Sequence, residues 1–133
     1  MPDTTLLSET TLFAGLGPAD LDTIATLSTD RDLQRGDVIF EEGGTPDELY
    51  VVVSGRIAIA NRSIDGRESM VALMEPGDLF GEMGLFSGRG RSAEARALEA
   101  SVVTAVPYEP LNNLYQGDPS LLWPVVEMLA GRL

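Results

Sequence analysis

The stretch Gly81–Ala93, "GEMGLFSGRGRSA", gathers the side chains best suited to capture a small anion. If Gly81-Glu82-Met83-Gly84-Leu85-Phe86 forms one helical turn, its first backbone N–H groups lack partners and point together. The partial positive charge of that end favours phosphate. Gly81 and Gly84 carry no Cβ, so the backbone can come close to a ligand. Arg91 returns from the following strand with a planar fork that can bind two phosphate oxygens at once. Ser92 adds a hydroxyl or an amide. Glu82 cannot face a phosphate, because like charges repel. Its carboxylate suits sugar hydroxyls instead, and it is placed to orient Arg91. Phosphate plus hydroxyls describes a nucleotide, and Val71, Leu73 and Leu79 are apolar enough to line the rest of such a pocket. Taken alone, Glu82 and Arg91 also fit an ordinary surface ion pair, worth about 0–1 kcal/mol.

Composition narrows the chemistry further. The 133 residues contain no Cys and no His. All nine basic residues are arginine, so lysine is absent as well. Thiolate nucleophiles, Cys- or His-ligated metals, imidazole triads and Schiff bases are therefore excluded. Neither a catalytic residue, a metal site nor a cofactor is expected, and an enzyme is disfavoured. A net charge of −12 argues against DNA binding by this chain, since nucleic acid requires a basic face. A local cationic socket can still hold an anionic ligand, because salt screens the global field over roughly 8 Å. No apolar run approaches a membrane span, and the first residues, "MPDTTLLSETTLF", lack a basic signal-peptide region. A cytoplasmic protein, not attached to membranes, is the expectation.

The elements that must position the socket are legible as short β-runs between turn residues. "DVIFEE" (Asp37–Glu42), "ELYVVVS" (Glu48–Ser54), "RIAIANRS" (Arg56–Ser63), "SMVALME" (Ser69–Glu75), "SAEARALE" (Ser92–Glu99) and "SVVTAVP" (Ser101–Pro107) are the candidates. Leu49, Val51 and Val53 would share one face. Ile57 and Ile59 point inward, as do Ala93, Ala95 and Ala97. Gly36, Gly55 and Gly77 read as turn glycines, and Arg35-Gly36-Asp37 as the turn leading into a strand. Asp65-Gly66 within "SIDGRE" predicts a hairpin. Glu41-Glu42 reads as a solvated strand end. A short helix begins at Gly17-Pro18 and carries Leu21, Ile24 and Ala25. The last quarter is helical: first Tyr108–Gln116, then a turn with Asp118 as cap and Pro119 after it, then a helix starting near Pro124. Leu122, Val126, Leu129 and Leu133 form one stripe, read as intrachain packing plus a homodimer seam. Trp123 is expected in the core. A stripe still running at Leu133 implies a longer chain or a helix completed by a partner.

"PGDLFGEMGLFSGRGRSAEARA" resembles the phosphate-binding cassette of cyclic-nucleotide-binding domains. These occur in Crp/Fnr-type bacterial regulators and in regulatory subunits of cAMP-dependent kinases. Phe80, Gly81, Glu82, Met83, Leu85, Arg91, Ser92 and Ala93 meet the family pattern. "LQRGDVIFEEGGTPDELYVVVSGRIAI" (Leu33–Ile59) is similar to its paired strands, and "TLFAGLGPADLDTIATL" to its N-terminal helices. The resemblance implies a mainly β fold: an eight-stranded β-roll or jelly roll with a short N-terminal helix and C-terminal helices. It implies a single domain over 1–133: a helical segment over 1–28, the roll over 29–107 with the cassette at 80–93, and C-terminal helices over 108–133. It further implies a sensor for a cyclic nucleotide, cAMP or cGMP, in a transcriptional regulator or related ligand-gated protein. Gly81, Glu82 and Met83 would meet ribose and phosphate, with Glu82 on the 2′-hydroxyl. Arg91 would neutralise the cyclic phosphate, assisted by Ser92, with Ala93 beside it, and Ser92 leans toward cAMP. The C-terminal helix would dimerise and carry the signal. The chain departs from the family in lacking the polar adenine contacts of that helix and in carrying a second arginine, Arg89. The alternative is the same roll used as a protein-interaction module or as a sensor for a different effector.

Overall fold

The computed structural model describes residues 4–62 and 66–131. Eight strands form two four-stranded antiparallel sheets. In chain order they are β1 (Thr29–Leu33), β2 (Val38–Phe40), β3 (Glu48–Ser54), β4 (Ile57–Arg62), β5 (Glu68–Met74), β6 (Leu79–Phe80), β7 (Glu94–Ala97) and β8 (Ser101–Pro107). One sheet runs β1-β8-β3-β6 and the other β2-β7-β4-β5. The helices are α1 (Thr4–Ser8), α2 (Pro18–Leu27), α3 (Met83–Ser87), α4 (Tyr108–Gly117) and α5 (Trp123–Ala130), with single 3-10 turns at Thr11–Phe13 and Pro119–Leu122.

The chain has two cores, and β3 serves both. Tyr50 and Val52 point between the sheets, where they meet Ile57, Phe80, Ala95, Ala97 and Val103. Leu49 and Val51 point the other way, into a layer built by Phe13, Ile24, Leu111 and Val125 from the terminal helices. A strand buried on both faces reads as a continuous apolar run, not an alternation. The expected face Leu49/Val51/Val53 is therefore corrected at its end. The β3–β8 register shifts between Val52 and Ser54, and Val53 is left partly exposed. Ala93, Ala95 and Ala97 are all buried as expected.

Strand β1 gave no apolar signal because its sequence, "TDRDL", lies on the surface and pairs only with β8. Its Asp30 accepts a hydrogen bond from Thr104 Oγ1 at 2.6 Å, which helps hold this polar edge. The Asp65-Gly66 turn expected between β4 and β5 lies partly outside the described residues, since 63–65 are not among them, and Gly66 has a φ of +83°. The turn glycines Gly36, Gly55 and Gly77 all have φ near +90°.

The C-terminal segment divides at Trp123, with Asp118 capping the 3-10 turn through Ser120 N–H. The interruption changes the phase of the helix. Val125 is buried, with Leu121, Leu122 and Met128 packed on the same core. Trp123 is 69% exposed, contrary to the expected core position, and Val126 is also exposed. The Leu129 side chain and Leu133 lie outside what is described.

Tyr115 of α4 is buried, and its hydroxyl has no hydrogen-bond partner among the described residues. Burial pushes its phenol from 10.0 up to about 12. The unfolded chain thus loses this proton first, so stability present in full below pH 10 falls away as pH rises toward 12. Tyr115→Phe is expected to stabilise the protein by about 1 kcal/mol at neutral pH, because an unmet hydroxyl is costly to bury. It should also flatten the alkaline decline. Urea unfolding of both proteins at neutral pH and at about pH 11 measures both effects.

Candidate functional site

The short strand β6 runs into Gly81, whose φ of +80° only glycine adopts without strain. Glu82 follows as the residue before α3, and α3 ends at Gly88 in the left-handed conformation. The Leu85 N–H bonds to the Glu82 carbonyl at 3.0 Å, so the Met83 and Gly84 amides precede the first helical bond. The chain then returns through Arg89-Gly90-Arg91 alongside the Gly43-Gly44 turn. Arg91 N–H donates to Gly44 O at 2.9 Å, and Gly43 N–H to Arg91 O at 2.7 Å. The backbone of Arg91 is thereby anchored before its side chain makes any contact.

The cassette glycines serve the protein's own packing. A Cβ on Gly84 would lie 2.5 Å from Pro46 Cγ, and one on Gly81 would lie 3.1 Å from both Arg91 Nη1 and Tyr50 Cδ2. Close approach to a ligand was the expectation. The structure shows close approach to Pro46 and to the arginine itself.

These segments wall a cavity of about 1080 Å³ between the cassette and the β2-β7-β4-β5 sheet. Gly81, Glu82, Met83, Arg91, Ser92 and Ala93 all line it, as do Val71 and Leu79. Leu73 does not. The β4–β5 register shifts where Ile59 meets Ala72 and Ala60 meets Met70, so Val71 is the extra residue of a bulge. Beyond it Ala72 and Met74 line the cavity, while Leu73 is turned out and 39% exposed. Arg89 also lines the cavity and is exposed, and Asp78 joins Glu82 as the second acid on the wall.

Arg91 is only 8% exposed, and Glu82 only 2%. The Arg91 guanidinium lies over the Phe40 ring, with Cζ 4.1 Å from the ring centroid, a desolvated cation–π contact worth about 2 kcal/mol. Nη1 donates to Gly81 O at 2.7 Å and to the Tyr108 hydroxyl at 3.2 Å, and Nη2 donates to Glu48 O at 2.6 Å. A guanidinium has five N–H donors. Three are taken, which leaves two, and one of those is the buried Nε–H, which has no partner among the described residues. Burying such a donor unmet costs about 1–3 kcal/mol.

Tyr108 also donates a hydrogen bond to Gly81 O. Burial pushes its phenol up, and neighbouring Arg91 pulls it back only in part. It therefore stays protonated and able to donate near neutral pH. Phe40, Tyr108 and the Glu48 carbonyl were not apparent from sequence. They lie far along the chain from the cassette, and an aromatic ring or a main-chain oxygen leaves no motif. Among the described residues no group of three or more His, Cys, Asp or Glu could hold a metal ion. No helix there is long and apolar enough to cross a membrane.

Residues 30–118 match the cyclic nucleotide-binding domain family. The chain belongs to that family. Relatives of this cyclic nucleotide-binding domain include the cyclic AMP receptor protein of Thermus thermophilus. It is 34% identical over 122 residues, covering 92% of this chain and 56% of that protein. Among solved structures, the N-terminal domain of a transcriptional regulator from Streptomyces coelicolor A3(2) matches with a TM-score of 0.78 and 31% identity. The match covers 96% of this chain and 91% of that one. The regulatory domain of Toxoplasma gondii PKA, solved with cAMP, matches with a TM-score of 0.79 and 27% identity, covering 83% of this chain and 42% of that one. The chain spans just over half the length of the first relatives it matches.

Proposed function

We propose that this cyclic nucleotide-binding domain senses cAMP for a CRP-like transcriptional regulator and signals through its C-terminal helices. The observation that carries this reading is the half-committed guanidinium of Arg91. It is buried on the cavity wall, is held by three internal acceptors and keeps two donors, Nε–H among them. Two parallel N–H groups suit two oxygens of one phosphodiester. Glu82, on the same wall, supplies acceptors for the ribose 2′-hydroxyl, and the Met83 and Gly84 amides add donors. Ser92 stands beside them. Val71, Leu79 and Met74 leave apolar room for a base. The names of the Thermus relative and the Toxoplasma neighbour, both tied to cAMP, support this choice of nucleotide.

Signalling would be a population shift. A ligand that binds one arrangement of cassette and C-terminal helices better than another favours that arrangement by the difference. Exposed Trp123 and Val126 on α5 suit a homodimer seam, and the charge of −12 leaves any DNA contact to another part of a regulator. The domain acts as a sensor, without catalysis of its own.

Calorimetric titration with cAMP, cGMP and linear AMP tests the proposal. One cAMP per chain is expected, with cGMP weaker. Linear AMP should bind at least about tenfold more weakly, since its phosphate carries up to about two charges and two donors cannot compensate both. Flat heats with both cyclic nucleotides would favour the alternative role as a module for proteins or another effector.

A further inference from the structure

Tyr108 is the first residue of α4 and lies outside the cassette, yet it closes a ring of hydrogen bonds within it. Its hydroxyl donates to Gly81 O and accepts from Arg91 Nη1, while Nη1 also donates to Gly81 O. We propose that Tyr108 is a positioning residue of the nucleotide site, whose hydroxyl sets the roll of the Arg91 guanidinium and ties ligand affinity to the placement of α4. This rests on the nucleotide reading above.

Three observations carry it. First, a guanidinium can rotate about its own bonds, and the Phe40 ring beneath Cζ attracts the cation without fixing where its N–H groups point. Fixing the orientation takes acceptors at defined places. Tyr108 and Gly81 occupy Nη1, and Glu48 O holds Nη2, so the guanidinium is tied at both of its terminal nitrogens and only Nε–H and one Nη2 hydrogen remain. Second, Gly81 O belongs to the planar peptide that continues into Glu82 N–H. Holding that carbonyl orients the first peptide of the cassette turn as well. Third, Tyr108 cannot shift without α4. Its own N–H donates to Asp47 O at 2.9 Å, and its ring shares the buried helical core with Leu111 and Tyr115. That same core receives Leu85 and Phe86 from α3, with the Phe86 and Tyr115 ring centroids 6.3 Å apart. Cassette and α4 thus meet twice, once through apolar contact and once through the phenol.

The consequence is reciprocal by thermodynamic necessity. If a bound phosphate changes the Arg91–Tyr108 bond, then anything that displaces α4 changes phosphate affinity by the same factor. A cation held only by cassette atoms would have no such link.

Tyr108→Phe keeps the ring and removes only the hydroxyl, and Gly81 O retains its bond from Arg91, so the variant should fold, melting a few degrees below the wild type because one Nη1 hydrogen loses its acceptor. Its cAMP dissociation constant is expected to rise about tenfold, as for one lost hydrogen bond to a charged group. A purely structural residue would not move two further readouts. Hydrogen exchange of α4 amides, slowed by saturating cAMP in the wild type, should respond less in the variant, while cassette amides stay protected. In the unliganded protein, NMR should find slow rotation of the Arg91 guanidinium in the wild type and faster rotation in the variant. Unchanged affinity with unchanged α4 response would overturn the proposal, and so would unchanged guanidinium rotation. If the wild type takes up no nucleotide, the nucleotide reading falls, while the ligand-free rotation measurement still decides whether Tyr108 positions Arg91.

Discussion

On the cAMP reading proposed above, Arg91→Ala is expected to remove any thermal stabilisation by cAMP and to weaken binding at least about 100-fold. Two hydrogen bonds from a buried cation to a phosphodiester contribute about 1.5–3 kcal/mol each, and their sum spans roughly 100-fold to 20,000-fold in affinity. The background makes the loss harder to absorb. With a net charge of −12, the rest of the protein repels the ligand, and Asp78 and Glu82 stand on the cavity wall itself. Arg89 lines the same cavity but is exposed, so water and salt screen whatever it offers. Arg91→Lys should be intermediate, since it restores charge without the planar fork. Arg91 also bridges Gly81, Glu48 and Tyr108, and losing it should cost the unliganded fold about 1–3 kcal/mol. Melting each variant with and without cAMP separates the two effects. A cAMP shift in Arg91→Ala equal to that of the wild type would remove the central role assigned to this side chain.

Gly55→Ala should be the most damaging small substitution in the roll, costing about 3 kcal/mol or more. Gly55 turns the chain from β3 into β4 at φ +86°, where an L-residue pays about 1–2 kcal/mol. Space is the second problem. A Cβ there would lie 2.6 Å from Ser101 Cβ and 2.7 Å from Ala100 O, at the start of β8. Ser101 cannot simply swing away. Its Oγ accepts from Arg56 N–H at 3.1 Å and donates to Glu99 O at 2.9 Å. Relief needs a backbone shift, and overpacking of that kind adds about 1–3 kcal/mol. Gly36 is the control. Its φ is +90°, but nothing lies within 4 Å of the added atom, so Gly36→Ala should lose only the conformational part, about 1–2 kcal/mol. Urea unfolding of the two variants measures the difference, and equal losses would show that crowding at Ser101 plays no part.

Much of the fold follows from local pattern. Six of the eight strands carry enough apolar or β-branched residues to be read directly, and the turn glycines between them have the positive φ their positions require. The other two have no such signature. β1 is polar because it is exposed, and β6 is too short to show a period. Only the family resemblance implied eight. Val53 and Leu73 were assigned the wrong face for a common reason. A bulge reverses the two-residue alternation, and nothing in the flanking residues announces it. Trp123 fails differently. Its core position was expected only because large aromatics are commonly buried, and as the first residue of α5 it lies where the 3-10 turn hands over to the helix and is left exposed.

By itself, then, the residue order determined which side chains can do chemistry here: arginines and carboxylates, a glycine-bounded turn of helix, and no cysteine, histidine or lysine. It placed Glu82, Arg91 and their neighbours in one cassette, since those residues are adjacent along the chain. Only the tertiary structure decided what Arg91 touches. Glu48 lies 43 residues away and Tyr108 lies 17 away. The Phe40 ring beneath the guanidinium comes from β2, much earlier in the chain. Propensity and periodicity act over a few residues. The orientation of a buried cation is set by whichever acceptors the folded chain brings within hydrogen-bonding distance of it, however far apart in sequence they began.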